Sequence, residues 1–324
     1  MKERYTHMKK MISLLMTILM MTSLLTGCGK SGRDLTFTTG SETGTYYGFG
    51  TVLAGQISDK TDTTVTAIVG KGSKANIELM DVGDAQMGLV QSDVMAYAYK
   101  GTSLFTKEIK SFSTVAALYM EQVQIVTLDP EIKSVADLKG KKVSVGESGS
   151  GVYFNAIDVL AAYDMTLDDI EPTYQSFGDS AEALQDGNID AGFIVSGAPT
   201  TAITTLAANR DVYIVELDDE HIEKLIASSP YYSKNVISGK AAEAYGLEAD
   251  ATTVAIGAVI IARNDASEDA IYDICSGIFD SIDTLNHDKK NELSLEFATS
   301  ITDVPYHPGA AKYFSEQGIS VPTE

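Results

Sequence analysis

LTFTTGSETGTYYGFGTVLAGQI, residues 35–57, opens with alternating β-branched and apolar residues, breaks at Gly40 and Gly44, and continues as an amphipathic helical pattern. Alternation marks a strand, the glycines a turn, and the 3.6-residue spacing a helix. The same strand–turn–helix unit returns in residues 64–80 (TVTAIVG then KGSKANIELM), 86–99 (QMGLV then QSDVMAYAY), 141–163 (KKVSVG then ESGSGVYFNAIDVLAAY) and 191–207 (AGFIVSG then APTTAITTLA). Strands alternating with helices in this way predict an α/β chain with a largely parallel sheet and helices on both faces.

Between the two groups of units, residues 113–141 (STVAALYMEQVQIVTLDPEIKSVADLKGK) carry a further apolar strand, a turn at Pro130 and a short helix. This stretch reads as a crossover. A matching strand, TTVAIGAVIIARND (252–265), comes late and leads into a helical C-terminal region from about Ser267. The chain is thus expected to leave one α/β lobe and return to it. Lobe 1 would comprise residues 34–140 plus 252–324 and lobe 2 residues 141–251, with a ligand cleft between them, because domain interfaces favour ligand sites.

Ahead of the first unit, Lys2, Arg4, Lys9 and Lys10 precede the uncharged run from Met11 to Leu25. Positive residues before a short apolar run are the layout of a secretory signal, and the run is too short to span a bilayer comfortably. It ends in LTGC (25–28), which resembles a bacterial lipobox. That resemblance implies a signal peptide over residues 1–27, lipid on Cys28, a tether over residues 28–33, and a mature chain anchored by lipid to the outer face of the cell membrane. Removing the leader takes the formal net charge from −21 to −24. Such an acidic surface argues against nucleic acid or anionic lipid headgroups as partners. The one other cysteine, Cys275, sits in an apolar helical pattern, so no disulfide framework is expected and the thiol reads as buried and inert.

Each glycine-bearing turn falls after a strand and at the start of a helix. Unpaired N–H groups and the helix dipole make such a place receptive to anions, and glycine lets a ligand approach the backbone. Taken singly, each turn also reads as an ordinary turn with a helix cap. Together they would gather at the carboxyl ends of the strands, where α/β sheets bind ligands. The candidate ligand-binding residues are Gly44, Thr45, Tyr46 and Tyr47; Gly72, Ser73 and Asn76; Gln91, Ser92 and Asp93; Gln124; Ser148, Gly149, Ser150 and Gly151; and Gly197, Pro199 and Thr200. One of the adjacent tyrosines is expected to face the core instead. Glu42, Asp93, Glu121 and Glu147 are candidate acceptors for a ligand ammonium, and the sequence does not order them.

The segments TGSETGTYYGFG, GKGSKANIELM, AQMGLVQSDVMAYAY, ALYMEQVQIVT, IKSVADLKGKKVSVGESGSG, DGNIDAGFIVSGAPT and YHPGAAKYF, in that order, resemble the TRAP-associated extracytoplasmic immunogenic (TAXI) family. These are solute-binding subunits of tripartite ATP-independent periplasmic transporters. The resemblance implies a type II periplasmic-binding-protein fold, a monomer that closes on a glutamate-, glutamine- or 2-oxoglutarate-like solute, and delivery to TRAP membrane subunits. Lys71 and Gln122 depart from the family pattern, which commonly has glycine and proline there. Beyond the leader the arginines are Arg33, Arg210 and Arg263, none in a candidate loop, so helix N-termini, Lys71 or Lys74 would hold an acid group.

Catalytic patterns are absent. GESGSG does not meet G-x-S-x-G, and GKGSKA lacks a well-placed acidic residue for a dinucleotide. His221, His287 and His307 lack metal-ligand spacing, with His307 reading as a helix-entry residue, and the pairs Asp168–Asp169 and Asp218–Asp219 read as solvated turns. Neither cofactor nor metal is expected, and the chain is read as a binding protein. An extracytoplasmic enzyme or a sensor-coupled receptor on the same fold is the alternative.

Overall fold

Three units open the fold: β1 (Asp34–Thr38) with α1 (Thr45–Lys60), β2 (Thr64–Ile68) with α2 (Ser73–Asp81), and β3 (Met87–Gln91) with α3 (Ser92–Lys100). This is a computed structural model that describes residues 33–324. The leader expected over 1–27, Cys28 and the tether up to residue 32 lie outside the described residues. The long β4 (Phe112–Thr127) and a 3-10 turn (Val135–Leu138) follow. Next come β5 (Lys142–Ser144), α4 (Gly151–Ala162), β6 (Glu171–Thr173), α5 (Phe177–Gln185), β7 (Ala191–Ser196) and α6 (Thr201–Ala207). The short β8 (Tyr213–Ile214), α7 (Asp219–Ser228), β9 (Ser233–Ile237) and α8 (Gly239–Tyr245) lead to the second long strand, β10 (Ala251–Arg263). Helices α9 (Glu268–Phe279), α10 (Leu295–Ala298) and α11 (Pro308–Glu316) end the chain. Among the described residues, no helix is long and apolar enough to cross a membrane.

The strands form one sheet in the order β2-β1-β3-β10-β4-β7-β5-β6, with β8 added to β4 and β9 to β10. Pairing is parallel at each end, among β1, β2 and β3 and among β5, β6 and β7. In the middle it is antiparallel, where β10 meets β3 and β4, and β4 meets β7. The sheet is therefore mixed, where the repeated units predicted a largely parallel one. The cause is the return of the chain: β4 crosses from one half to the other and β10 crosses back, so the two run in opposite directions.

Period-two alternation divides each half into two packed faces. Along β10, Ala258, Ile260 and Ala262 join a cluster with Phe37, Phe49, Leu53, Ile271, Ile274 and Phe314, whereas Val259 and Ile261 pack with Ile77, Met80 and Val94. Further back on the same strand, Val254 and Ile256 belong to a different core, shared with Val123, Ile125, Val143, Val159 and Phe193. Strand β4 changes cores likewise, with Leu118 and Tyr119 on the first side and Val123 and Ile125 on the second. Ile132, Val135 and Leu138 pack with the second. Cys275 is fully buried in the first core, and desolvation pushes its thiol far up. His307 begins α11 as expected, its Nδ1 accepting the Gly309 N–H at 3.2 Å ahead of Pro308.

Candidate functional site

Where the cores change over, the starts of helices from both halves surround a cavity of about 50 Å³. That is small beside the several hundred Å³ of a drug-sized pocket. Of the predicted residues, Gly44, Thr45, Tyr46, Gly72, Ser73, Gln91, Ser150 and Gly151 line it, together with Glu121 and, at its mouth, Lys71 and Glu147.

Glycine is required where the loops meet. Gly72 adopts φ +94°, and a Cβ there would lie 3.1 Å from the Ser150 backbone across the cavity mouth. A Cβ on Gly151 would run into the Gln91 carboxamide. Ala75 N–H donates to the Gly149 carbonyl at 2.9 Å, so α2 and the loop before α4 are joined directly. On the other side, Thr45 N–H donates to Ser196 Oγ at 3.1 Å, and Thr45 Oγ1 donates to the Gly197 carbonyl at 2.8 Å.

The helices α1, α2 and α3 begin at Gly44, Gly72 and Gln91 with no side-chain cap, whereas Ser150 and Ser176 cap α4 and α5. Uncapped N-termini leave partial positive charge facing the cavity. Against it stand polar atoms that are buried without a hydrogen-bond partner: Ser41 Oγ, Tyr46 OH, Gln91 Oε1 and Glu121 Oε2. Buried polar groups are nearly always paired, by protein, water or ligand, so four such atoms around one cavity give it polar groups able to bind a solute. Glu121 is 2% exposed, and burial pushes its carboxyl up to about 8 against the opposing pull of Tyr46 and Lys289. Burial raises Glu147 too, with Lys71 opposing. Lys74 is engaged by Glu78 on its own helix.

The remaining predicted residues serve other contacts. Asn76 braces two strand ends from beneath, its Nδ2 donating to the Thr39 and Leu89 carbonyls at 2.6 and 2.7 Å. Gln124 does the same in the second half, donating to Thr200 Oγ1 at 3.0 Å and accepting from Tyr245 OH at 2.6 Å. Asp93 is fully buried, accepting from Val94 N–H and Asn155 Nδ2. Ser92 and Gly197 are buried behind the lining, Tyr47 and Gly149 are half-buried beside it, and Ser148 and Pro199 are exposed. Glu42 is exposed, which leaves Glu121 as the buried carboxyl on the cavity wall. Gln175, Ser176 and Phe177 also line the cavity, and sequence reasoning missed them. Their signal was Ser176 ahead of a helical run, obscured because the preceding β6 is three residues long and contains Pro172. Among the described residues, no group of three or more His, Cys, Asp or Glu side chains could hold a metal.

A model of the NMT1-like family matches residues 37–318. A protein of Escherichia coli K12 named as an aliphatic sulfonates-binding protein is 39% identical over 70 residues, 22% of this chain. The chain therefore spans about a fifth of that curated relative's length in the match. Among solved structures, the alkanesulfonate-binding protein SsuA of Xanthomonas axonopodis pv. citri, bound to MOPS, superposes with TM-score 0.51 at 15% identity, covering 87% of this chain and 83% of that one. MatC of Rhodopseudomonas palustris, with bound malate, superposes with TM-score 0.54 at 12% identity, covering 80% and 86%. At these identities the likeness shows the fold, the mixed α/β architecture of periplasmic solute-binding proteins.

Proposed function

Since the chain belongs to the NMT1-like family, we propose that it is an extracytoplasmic solute-binding lipoprotein that captures a small anionic or zwitterionic solute and changes nothing in it. The observation that carries this reading is the convergence of uncapped helix starts and unpartnered buried polar atoms on one small cavity between the two halves. The acid group of the solute sits at the N-termini of α1 and α2, and its remaining polar atoms satisfy the orphans. Glutamate, glutamine and 2-oxoglutarate fit this description. A sulfonate in place of the carboxylate is the second reading, favoured by the name of the Escherichia coli relative.

The solute enters by separation of two lobes, residues 34–140 plus 252–324 and residues 141–251 in the sequence-based division. We place the hinge inside β4 and β10, near residues 120–123 and 256–258 where each strand changes cores, so that residues 124–140 travel with the second lobe. Lipid on Cys28 holds the receptor beside TRAP membrane subunits, to which the solute is handed. Thermal-shift measurements with glutamate, glutamine, 2-oxoglutarate and ethanesulfonate test the reading. A true ligand raises Tm in proportion to the logarithm of its concentration and is recovered unchanged. No shift with any of them, or conversion of one into product, would count against it.

A further inference from the structure

Glu121 Oε2 and Gln91 Oε1 are both without a hydrogen-bond partner, and both residues line the cavity while being 2% exposed. The orientation of Gln91 is set by what lies behind it. Asn155 Nδ2 donates to Asp93 Oδ2 at 3.1 Å and to Tyr232 OH at 2.7 Å, and Tyr232 OH donates to Asp158 Oδ2 at 3.0 Å. Asn155 therefore presents its Oδ1 to Gln91 Nε2, at 2.9 Å. Gln91 is left facing the cavity with its carbonyl oxygen, which cannot donate. An occupant that satisfies Gln91 must bring a hydrogen-bond donor, and an acid group alone brings none at neutral pH.

Resting on the proposed solute-binding function, we propose that Glu121 and Gln91 form an ammonium-reading subsite, so that the solute is a zwitterion pairing a primary ammonium with a carboxylate or sulfonate. A dicarboxylate or a simple alkanesulfonate leaves Gln91 Oε1 unsatisfied and places no positive charge against Glu121. The uncapped starts of α1 and α2 take the acid end. Glu121 is met by Tyr46 from α1, by Tyr119 on its own strand, by Lys289 from the 3-10 turn Asp288–Glu292 and, through space, by Asp93 of α3; Glu147 and Lys71 stand at the cavity mouth. Lys289 is held by Glu292 at 2.5 Å and lies over the Tyr119 ring, so its charge is already engaged. Without a solute, burial keeps the Glu121 carboxyl protonated at neutral pH. An arriving ammonium favours the carboxylate, and the displaced proton leaves to solvent.

The test uses two matched pairs, glutamate against 2-oxoglutarate and taurine against ethanesulfonate, titrated calorimetrically into the protein stripped of solute. The amine-bearing member of at least one pair is expected to bind roughly 10- to 100-fold more tightly, the worth of a hydrogen bond to a charged group. Titration in buffers of different ionisation enthalpy should show up to one proton released per solute bound near pH 7, and the affinity should rise between pH 6 and 8. In Glu121→Gln the preference within the pair should collapse towards one and the proton release should vanish. The proton measurement needs no variant and stands if Glu121→Gln does not fold. Equal or tighter binding of the amine-free members, or amine binding without proton release, overturns the subsite while leaving solute binding intact. Failure of the protein to bind any of the four overturns both.

Discussion

A carboxyl group sealed from water has a stability cost that depends on pH. The folded protein raises the Glu121 pKa to about 8 and the Asp158 pKa to about 6, each chiefly by burial. For an acid whose folded pKa lies above its unfolded one, the stabilising balance is complete below the unfolded pKa and is lost as pH rises through the folded pKa. These two groups therefore subtract from the stability of the solute-free protein as pH rises from about 4 to 8, by an amount on the order of a few kcal/mol, while His287 and His307, lowered by burial, act in the opposite sense up to about pH 6.5. Urea unfolding across that range measures it, and Glu121→Gln should flatten the upper part, between about pH 6 and pH 8. Parallel profiles for the two proteins between about pH 6.5 and pH 8 would mean that Glu121 is ionised and satisfied without a solute. The sequence placed Glu121 among four candidate acids and could not order them. Its burial arises only when residues distant along the chain, Tyr46 of α1 and Lys289 among them, pack against β4, and no local pattern records that. One tyrosine of the pair Tyr46 and Tyr47 was expected to face the core instead of the ligand, since neighbours on a helix face apart; Tyr46 does both, packed in the first core with its OH at the cavity, and Tyr47 is half-buried beside it.

Helix starts carry the site, and glycine at those starts is a matter of room. Replacing a helical glycine by alanine ordinarily stabilises a protein by about 0.4–1 kcal/mol. At Gly151, the first residue of α4, the sign should reverse, because the new Cβ would push the Gln91 carboxamide off its bond to Asn155. Gly151→Ala is expected to cost about 1–3 kcal/mol and to weaken solute binding by at least about tenfold, read by urea unfolding and calorimetry. A stabilised variant with unchanged affinity would place Gln91 outside the site. The units that build these starts were legible because each has an apolar or β-branched run ahead of a turn and a helical pattern; β5 is as short as β6, but its run KKVSVG carries no proline and ends in glycine. Residues 171–185 form the same unit, and Glu171–Thr173 is too short and proline-bearing to announce itself. The antiparallel centre was hidden too, since direction in a sheet follows from where the chain goes next and not from the composition of a strand.

At the scale of the whole molecule, β4 and β10 bind the two halves into one sheet while dividing their cores, and the proposed hinge rests on that arrangement. Contacts such as Thr45 with Ser196 and Ala75 with Gly149 join the two halves across the cavity, and in the proposed opening they would part. A solute touching both sides favours that state by its differential affinity. The local field of the cavity differs from that of the acidic surface, because uncapped helix N-termini line it together with Glu121. A crystal structure with the solute recovered from the purified protein tests the account most directly. The account predicts density filling the cavity, an acid group at the starts of α1 and α2, and an ammonium within hydrogen-bond reach of Glu121 and Gln91. An empty cavity at saturating solute, or density at any other place on the molecule, would contradict it.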